Sequence, residues 1–437
     1  MIEYRPLKIA LLGAGSVGSQ VAKILLENKQ ELASRVGAEL ELVGVLVQDK
    51  NSKRDYKIPE ELLTTSAEPL ILSADIVIEV MGGIEPARTY ILQALNSGCD
   101  VITANKALLA TNGAELFDAA EQVGAQMYFE AAVAGAIPII RPLRESLAGD
   151  KVKKIIGIVN GSTNFILDRM HQTGCSLVSA IAEAERLSYL EADPSLDLEG
   201  YDAAQKAAIL ASLAFHTEVP IDKVYREGIN QITADQVSAA KRDGYVIKLL
   251  AICEKLPAKA DQPEGISVRV YPAMIPDNHP LASVHGAFNA VFVEAEAAGS
   301  LMFYGAGAGG IQTASAVMGD LVSAAKRHVA GGPGLAYSVH ADLEVLSMAR
   351  VVTRYQITME ISDQPGVLAE VADIFAKHSV SIETVEQSAK MIEAETTAWL
   401  EIGTHQATDS ALSEVVAKLR ETEVVEQITS VIRVEGE

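Results

Sequence analysis

Six residues near the amino terminus, Gly13-Ala14-Gly15-Ser16-Val17-Gly18, fit the pattern GxGxxG. Glycine at these spacings lets a chain turn sharply after a strand, bring bare backbone up to a pyrophosphate, and pack the next helix closely. The helix start then offers unpaired N–H groups and the positive end of its dipole to the phosphates. A plain strand-to-helix turn would also satisfy the pattern, so its setting matters. An apolar run, Leu7 to Leu12, precedes it and a helical repeat, Ser16 to Glu27, follows, so it opens a βαβ unit. Further along, Asp202 and Lys206 stand four apart in a helix-forming run and share one face. Taken alone, such a pair is an ordinary solvated ion pair. An acidic stretch with Glu191, Asp193 and Asp197 precedes it, and Lys106 follows a strand candidate that ends at Thr103.

The elements around these residues are legible as patterns. Apolar runs at Leu40 to Val47, Asp75 to Val80, Asp100 to Thr103 and Gln126 to Phe129 alternate with helical segments, one of them opened by Pro86. Strands alternating with helices imply a parallel sheet covered on both faces, an α/β Rossmann-type domain. After Ile139 the texture changes. Strands are expected at Lys151 to Val159, Ile266 to Tyr271 and Ala290 to Ala295, and helices at Ser176 to Leu187 and Tyr201 to Phe215, giving an α+β region. Gly331 to Gly334 mark a loop. Beyond it Tyr355 to Ile361, Val380 to Gln387, Thr396 to Ile402 and Val424 to Val434 read as strands, with helices at Val367 to His378 and Asp409 to Leu419. That β-α-β-β-α-β order is ferredoxin-like.

Composition narrows the function classes. The chain has 437 residues, 49% of them hydrophobic and only 5% aromatic, which suits buried aliphatic strands in two or three domains. A net charge of −22 argues against nucleic acid and anionic membranes as partners. An anionic cofactor must therefore rely on backbone N–H groups and a few placed cations. Cys99, Cys175 and Cys253 lie far apart, so neither a disulfide framework nor a zinc site is indicated. The start of the chain lacks the features of a signal peptide, and the apolar run Ala131 to Ile140 is too short to cross a bilayer; a cytoplasmic location is expected. After the second strand, an acidic residue favours NAD and a basic one NADP. Asp49 and Lys50, with Lys53 and Arg54 behind, offer both signs. The reading leans to NADP through Lys50, Lys53 or Arg54, with solvated loop charges as the alternative.

Three further segments carry a resemblance. They are Thr103-Ala104-Asn105-Lys106, Glu130-Ala131-Ala132-Val133-Ala134-Gly135-Ala136-Ile137-Pro138, and the stretch YLEADPSLDLEGYDAAQK from Tyr189 to Lys206. With the glycine fingerprint, in this order and spacing, they resemble homoserine dehydrogenase. The resemblance implies reversible reduction of aspartate-4-semialdehyde to homoserine with NADPH or NADH, in threonine, methionine and isoleucine biosynthesis. It makes Lys206 the acid/base group, Lys106 a second essential lysine near nicotinamide and substrate, and Asp202 a neighbour of the reacting oxygen. Glu191 and Asp197 would contact the substrate's amino group. Thr103 and Gly307, the latter in the run Gly305 to Gly309, would lie by the cofactor. Glu130, Val133, Gly135 and Ile137 match a monovalent-cation loop, typically for sodium, with three of them binding through backbone carbonyls. The chemistry is coherent, since an alkoxide left by hydride addition needs a proton and a lysine near neutrality can supply it. A second cation and desolvation both push a lysine that way. Asn160 to Asn164 also resembles a family segment, although its polar residues serve equally to cap a helix.

The C-terminal part, clearest in ITMEISDQPGVLAEVADIFAKHSVSIETVEQ, resembles an ACT domain, an amino-acid-sensing module. The resemblance implies threonine as effector at the turn and helix start formed by Asp363, Gln364, Gly366, Val367 and Leu368, with a plain dimerisation module as the alternative. Three domains are expected: residues 1–138 for NAD(P), 139–345 for substrate, catalysis and dimerisation, and 353–437 for regulation. A homodimer or homotetramer is expected. Competing readings are another NAD(P)-dependent dehydrogenase of an amino-acid-like substrate, and a non-catalytic amino-acid sensor.

Overall fold

The computed structural model describes residues 5–190, 193–258, 262–332, 334, 339–392 and 395–436. By contact the chain divides into two compact units. One comprises Met1–Gly161, Asp202–Val224 and Ala287–Leu343; the other comprises Ser162–Tyr201, Tyr225–Gly286 and Glu344–Glu437.

The chain begins with β1 (Leu7–Leu12), α1 (Ser16–Glu27), α2 (Lys29–Val36), β2 (Leu40–Leu46), β3 (Leu63–Thr64) and α3 (Ala67–Leu72). It continues with β4 (Ile76–Glu79), α4 (Ala87–Asn96), β5 (Asp100–Thr103), α5 (Lys106–Val123) and β6 (Met127–Tyr128). These strands form one parallel sheet in the order β3-β2-β1-β4-β5-β6. Ile9, Leu11, Ile76, Ile78 and Ile102 are fully buried, as strands covered on both faces require. Helix α1 turns Gly18, Val21, Ala22 and Leu25 inward, the spacing of one helical stripe. Pro86 stands one residue ahead of α4 rather than opening it.

The middle of the chain supplies β7 (Val152–Ile158), α6 (Gly161–Thr173), α7 (Leu177–Arg186), α8 (Ser195–Leu198), α9 (Tyr201–Phe215) and β8 (Tyr225–Arg226). Then come α10 (Ala234–Arg242), β9 (Tyr245–Leu256), β10 (Gly265–Pro276), β11 (Phe288–Ala295), β12 (Gly299–Ala306) and α11 (Gly310–Ala330). In the first unit β11 pairs antiparallel with both β7 and β12. Helix α9 is buried on nearly every side, as an alanine- and leucine-rich helix without a polar face must be. Helix α11 has no counterpart among the sequence expectations. Its inward residues Ala314, Val317, Leu321 and Ala324 form a narrow, mostly small stripe that packs in the α1 and α2 core.

In the second unit β9 and β10 pair antiparallel along their full lengths, well beyond the expected Ile266 to Tyr271. The chain ends with β13 (Glu344–Val345), β14 (Val352–Ile361), α12 (Val367–Lys377), β15 (Ile382–Ile392), β16 (Glu395–Thr404), β17 (Ala407–Thr408), α13 (Asp409–Glu421) and β18 (Val425–Val434). The antiparallel order β18-β14-β16-β15 is the ferredoxin-like arrangement that the element order calls for. Tyr355, Ile357, Met359 and Ile361 alternate inward along β14 against Val371 and Phe375 of α12 and Val415 and Leu419 of α13. Strand β18 also pairs with β10 through Ala273 and Arg433. Among the described residues no helix is long and apolar enough to cross a membrane.

Candidate active site

Helix α9 brings Asp202 and Lys206 inside, with 9% and 8% of their surfaces exposed. Both are therefore far from the solvated pair that their spacing alone would indicate. Lys206 Nζ lies 2.7 Å from Asp202 Oδ2 and donates to the carbonyl of Val159 at 2.6 Å. Asn160 Nδ2 donates to the same Oδ2 at 2.9 Å, and Lys106 Nζ stands 3.1 Å from Oδ1. One carboxylate is thus shared by two lysines and an amide. Burial alone would raise its pKa, but the charges of Lys206 and then Lys106 hold it well below the usual carboxylate range. Asp202 is ionised at any working pH. An ammonium has three hydrogens, and Lys206 spends two, on Val159 and Asp202.

Lys106 is fixed through the helix it opens. Asn105 caps α5 by accepting from Leu108 N at 3.2 Å, and its Nδ2 donates to Gly83 O at 2.6 Å. Thr103 Oγ1 accepts from Asn105 N at 3.0 Å and donates to Glu79 Oε2 at 2.7 Å. Glu79 in turn accepts from the backbone N–H of Met81 and Gly82. Thr103 is fully buried with its hydroxyl committed, so its side chain orients the start of α5.

The glycine fingerprint has the shape a dinucleotide needs. Gly13 adopts φ +104°, and a Cβ there would meet Val80 O at 3.0 Å. A Cβ on Gly18 would overlap Gly13 O at 2.1 Å, so only glycine lets α1 sit this close to β1. Nothing lies within 4 Å of a Cβ built on Gly15, and α1 carries no side-chain cap there. Ser16 and Ala14 flank this open face and Val17 begins to pack inward. After β2, Arg54 turns back on its own loop and donates to Lys50 O at 3.1 Å and Ser52 O at 2.8 Å. Asp49 likewise accepts from Asn51 N at 2.9 Å. Lys50 and Lys53 are left as exposed cations.

The segment around Gly135 abuts the second glycine-rich loop. Gly135 adopts φ +59°, a Cβ on it would lie 2.4 Å from Gly307 O, and Ala136 N donates to Ala306 O at 3.1 Å. The carboxylate of Glu130 is fully engaged: Ile139 N and Ile140 N donate to Oε1 at 2.6 and 2.7 Å, and Arg141 N to Oε2 at 3.0 Å. Glu130 N donates to Asp320, which also binds Arg141 at 3.0 Å. Burial pushes Asp320 up to about 7, against the opposing charge of Arg141. Among the described residues no group of three or more His, Cys, Asp or Glu side chains is placed to hold a metal. At Glu130, Val133, Gly135 and Ile137 the donors left to a cation are backbone carbonyls.

In the second unit Asp193 is exposed and accepts from the N–H and hydroxyl of Ser195 at 3.1 and 2.6 Å. Asp197 is half-buried in α8, and Glu191 lies outside the described residues. In the C-terminal part Asp363, Gln364 and Gly366 are exposed, Gly366 has φ +100°, and α12 starts without a side-chain cap. Leu368 is exposed and Val367 buried. Sequence reasoning missed the Val159 carbonyl, the Asn160 contact with Asp202, and the Glu130–Asp320 pairing. Only the Asn160 to Asn164 segment carried a signal, through its resemblance.

Three family descriptions match the chain: a homoserine dehydrogenase NAD-binding domain over residues 13–130, homoserine dehydrogenase over 138–322, and an ACT domain over 355–424. A homoserine dehydrogenase of Mycobacterium tuberculosis is 53% identical over 99% of both chains. That of Corynebacterium glutamicum is 52% identical over 98% of this chain and 95% of the relative. Among solved structures, a homoserine dehydrogenase from Thiobacillus denitrificans superposes with a TM-score of 0.90 at 37% identity, covering 99% of each chain. An archaeal homoserine dehydrogenase in complex with NADPH gives 0.60 at 28% identity, covering 76% of this chain and 99% of that one.

Proposed function

The chain belongs to the homoserine dehydrogenase family, NAD(P)-dependent oxidoreductases acting on a CH–OH group, and from that premise we propose how its residues divide the reaction. Lys206 is the proton donor and acceptor, Asp202 holds it, and Lys106 is the second cation at the reacting oxygen. The observation that carries this reading is the hydrogen count at Lys206. Two of its N–H groups are anchored on Val159 O and Asp202, and the third is left for the substrate oxygen. Bound NAD(P)H supplies the hydride to the aldehyde carbon of aspartate semialdehyde. As that bond forms, the carbonyl oxygen gains an electron pair, and the third Lys206 hydrogen passes to it. The neutral amine that remains keeps two hydrogens and so keeps both anchors. Homoserine oxidation runs the same steps backwards, with Lys206 taking the hydroxyl proton. Because Lys106 occupies Asp202 Oδ1, the carboxylate is not Lys206's alone. Glu191 and Asp197 are the proposed partners of the substrate's ammonium.

The pyrophosphate of the cofactor would rest on Gly13 to Gly18, where Gly15 leaves backbone open and α1 leaves its first N–H groups uncapped. Gly307 and Lys106 are its proposed neighbours at the nicotinamide. NADP is favoured over NAD through Lys50, since Arg54 and Asp49 are spent on their own loop. A sodium ion would be held by backbone carbonyls at Glu130, Val133, Gly135 and Ile137. Its charge would there steady the loop against the Gly307 segment. Threonine is the proposed inhibitor, its carboxylate on the uncapped start of α12 beside Asp363, Gln364, Gly366, Val367 and Leu368. Residues 1–138, 139–345 and 353–437 are the proposed functional domains of a cytoplasmic homodimer or homotetramer.

The experiment is oxidation of NADPH and of NADH by aspartate semialdehyde, for the native chain and Lys206→Ala, with and without threonine. Turnover that survives Lys206→Ala would remove Lys206 from the role, and rates indifferent to threonine would remove the effector.

A further inference from the structure

Asp197 and Asp202, the proposed substrate and proton-relay carboxylates, are joined by four residues, Leu198 to Tyr201. That link is gripped by one short stretch of chain. The Arg226 guanidinium donates to Glu199 O and stacks 3.5 Å from the centre of the Tyr201 ring. Ile229 N donates to Leu198 O at 2.8 Å. A Cβ on Gly228 would lie 2.3 Å from Leu198 O and 2.6 Å from Glu199 Cα, so the backbones touch. Gly200, at φ +81°, lies less tightly against the same stretch, with a Cβ on it 3.4 Å from Arg226 Cγ and from Glu227 O.

The other side of the stretch faces the C-terminal sheet. Strand β8 pairs with β10 through Tyr225 and Arg226, and Glu227 N donates to Val270 O at 2.7 Å. Glu227 Oε1 accepts from Arg433 Nη1 at 2.9 Å. Arg433, in β18, is seated by Asp409 at 3.2 Å and by the ring of Tyr271 at 4.6 Å. A cavity of about 430 Å³ runs beside the stretch, bounded by Glu199, Arg226, Glu227, Ile432 and Arg433.

We propose that Arg226 and Glu227 are positioning residues of the reaction. Arg226 seats the Leu198–Tyr201 link, and Glu227 ties that seat to Arg433 of the C-terminal sheet. The proposal rests on the substrate role given above to Asp197. A guanidinium that both hydrogen-bonds a carbonyl and stacks on a ring fixes the link in two directions, which a lysine at that place would not do.

The test uses the full chain with Arg226→Ala, Arg226→Lys, Glu227→Gln and Asp197→Ala. For Arg226→Ala, KM for aspartate semialdehyde rises about tenfold while kcat stays within about twofold and NADPH affinity is unchanged. Arg226→Lys falls between, and Glu227→Gln shifts KM less. Amide hydrogen exchange at residues 198–201, measured without substrate, speeds up in Arg226→Ala. Unchanged exchange there overturns the proposal whatever the kinetics. Parallel losses of KM, kcat, NADPH affinity and thermal midpoint overturn it too, since they mark a merely structural residue. Asp197→Ala with an unchanged KM removes the substrate reading alone, and the exchange then decides on Arg226.

Discussion

Around Asp202 one carboxylate faces two lysines, and around Arg141 one guanidinium faces two carboxylates, Glu130 and Asp320. The carboxylates of both clusters are buried in the same compact unit, with Lys106 and Arg141 part-exposed beside them, yet they are satisfied in opposite ways. At Glu130 both carboxylate oxygens are filled by backbone N–H groups, which pins residues 139–141. At Lys206 one hydrogen is left over after the anchors are counted. A buried ion cluster becomes chemical when a proton on it has no fixed acceptor, not merely because it is charged. A carboxylate whose two oxygens are both taken by backbone N–H groups, as at Glu130, can only hold chain in place.

That contrast can be broken at either cluster. Lys206→Ala should lower kcat/KM by roughly 10³-fold or more, in the upper part of the range for acid–base groups, while NADPH affinity holds. Steady-state rates beside fluorescence titration of NADPH would check this, and equal losses in both would blur the distinction. Next, Asp202→Asn should cost on the order of 10²-fold in kcat, since the anchor for Lys206 weakens but the donor survives. Single-turnover rates measure it. At the other cluster Glu130→Ala should cost roughly 2–4 kcal/mol of stability, because three buried N–H groups lose their acceptor. Denaturant unfolding reads that loss, and Glu130→Gln should cost less; a stability equal to the native chain's would show that the cluster does not hold the loop.

A further effect concerns pH. An unfolded Asp320 loses its proton near pH 4, whereas the folded one, raised by burial, keeps it up to about 7. Between those values the folded chain binds more protons, so stability falls as pH rises and then levels off. Thermal midpoints across pH 4 to 8 should show this slope reduced in Asp320→Asn. Asp202 behaves in the opposite sense. Held well below its ordinary value, it contributes stability that persists at neutral pH and is lost only in acid.

The sequence carried the local half of this arrangement. Glycine spacing foretold the turn at Gly13 and the close packing at Gly18, and alternation along β14 foretold the C-terminal sheet. The i,i+4 rule put Asp202 and Lys206 on one face, though only the burial of the otherwise apolar α9 turned that face inward. What pattern does not report is contact across long separations. Lys106 is drawn to Asp202, and Glu130 to Asp320, by packing of elements far apart in the chain. Local pattern was silent as well on which groups are already engaged: the carboxylate of Glu130, the buried hydroxyl of Thr103, and Arg54 folded onto its own loop. Residue type marks what a side chain can do, and only the fold shows what already occupies it.

The most direct test of the spare proton on Lys206 is amine rescue. Homoserine oxidation by Lys206→Ala would be followed with increasing methylamine at fixed pH and saturating NADP. The expected result is a rate near background without amine that rises with amine concentration, as the amine fills the vacated place. A variant that oxidises homoserine at the native rate without amine would contradict it.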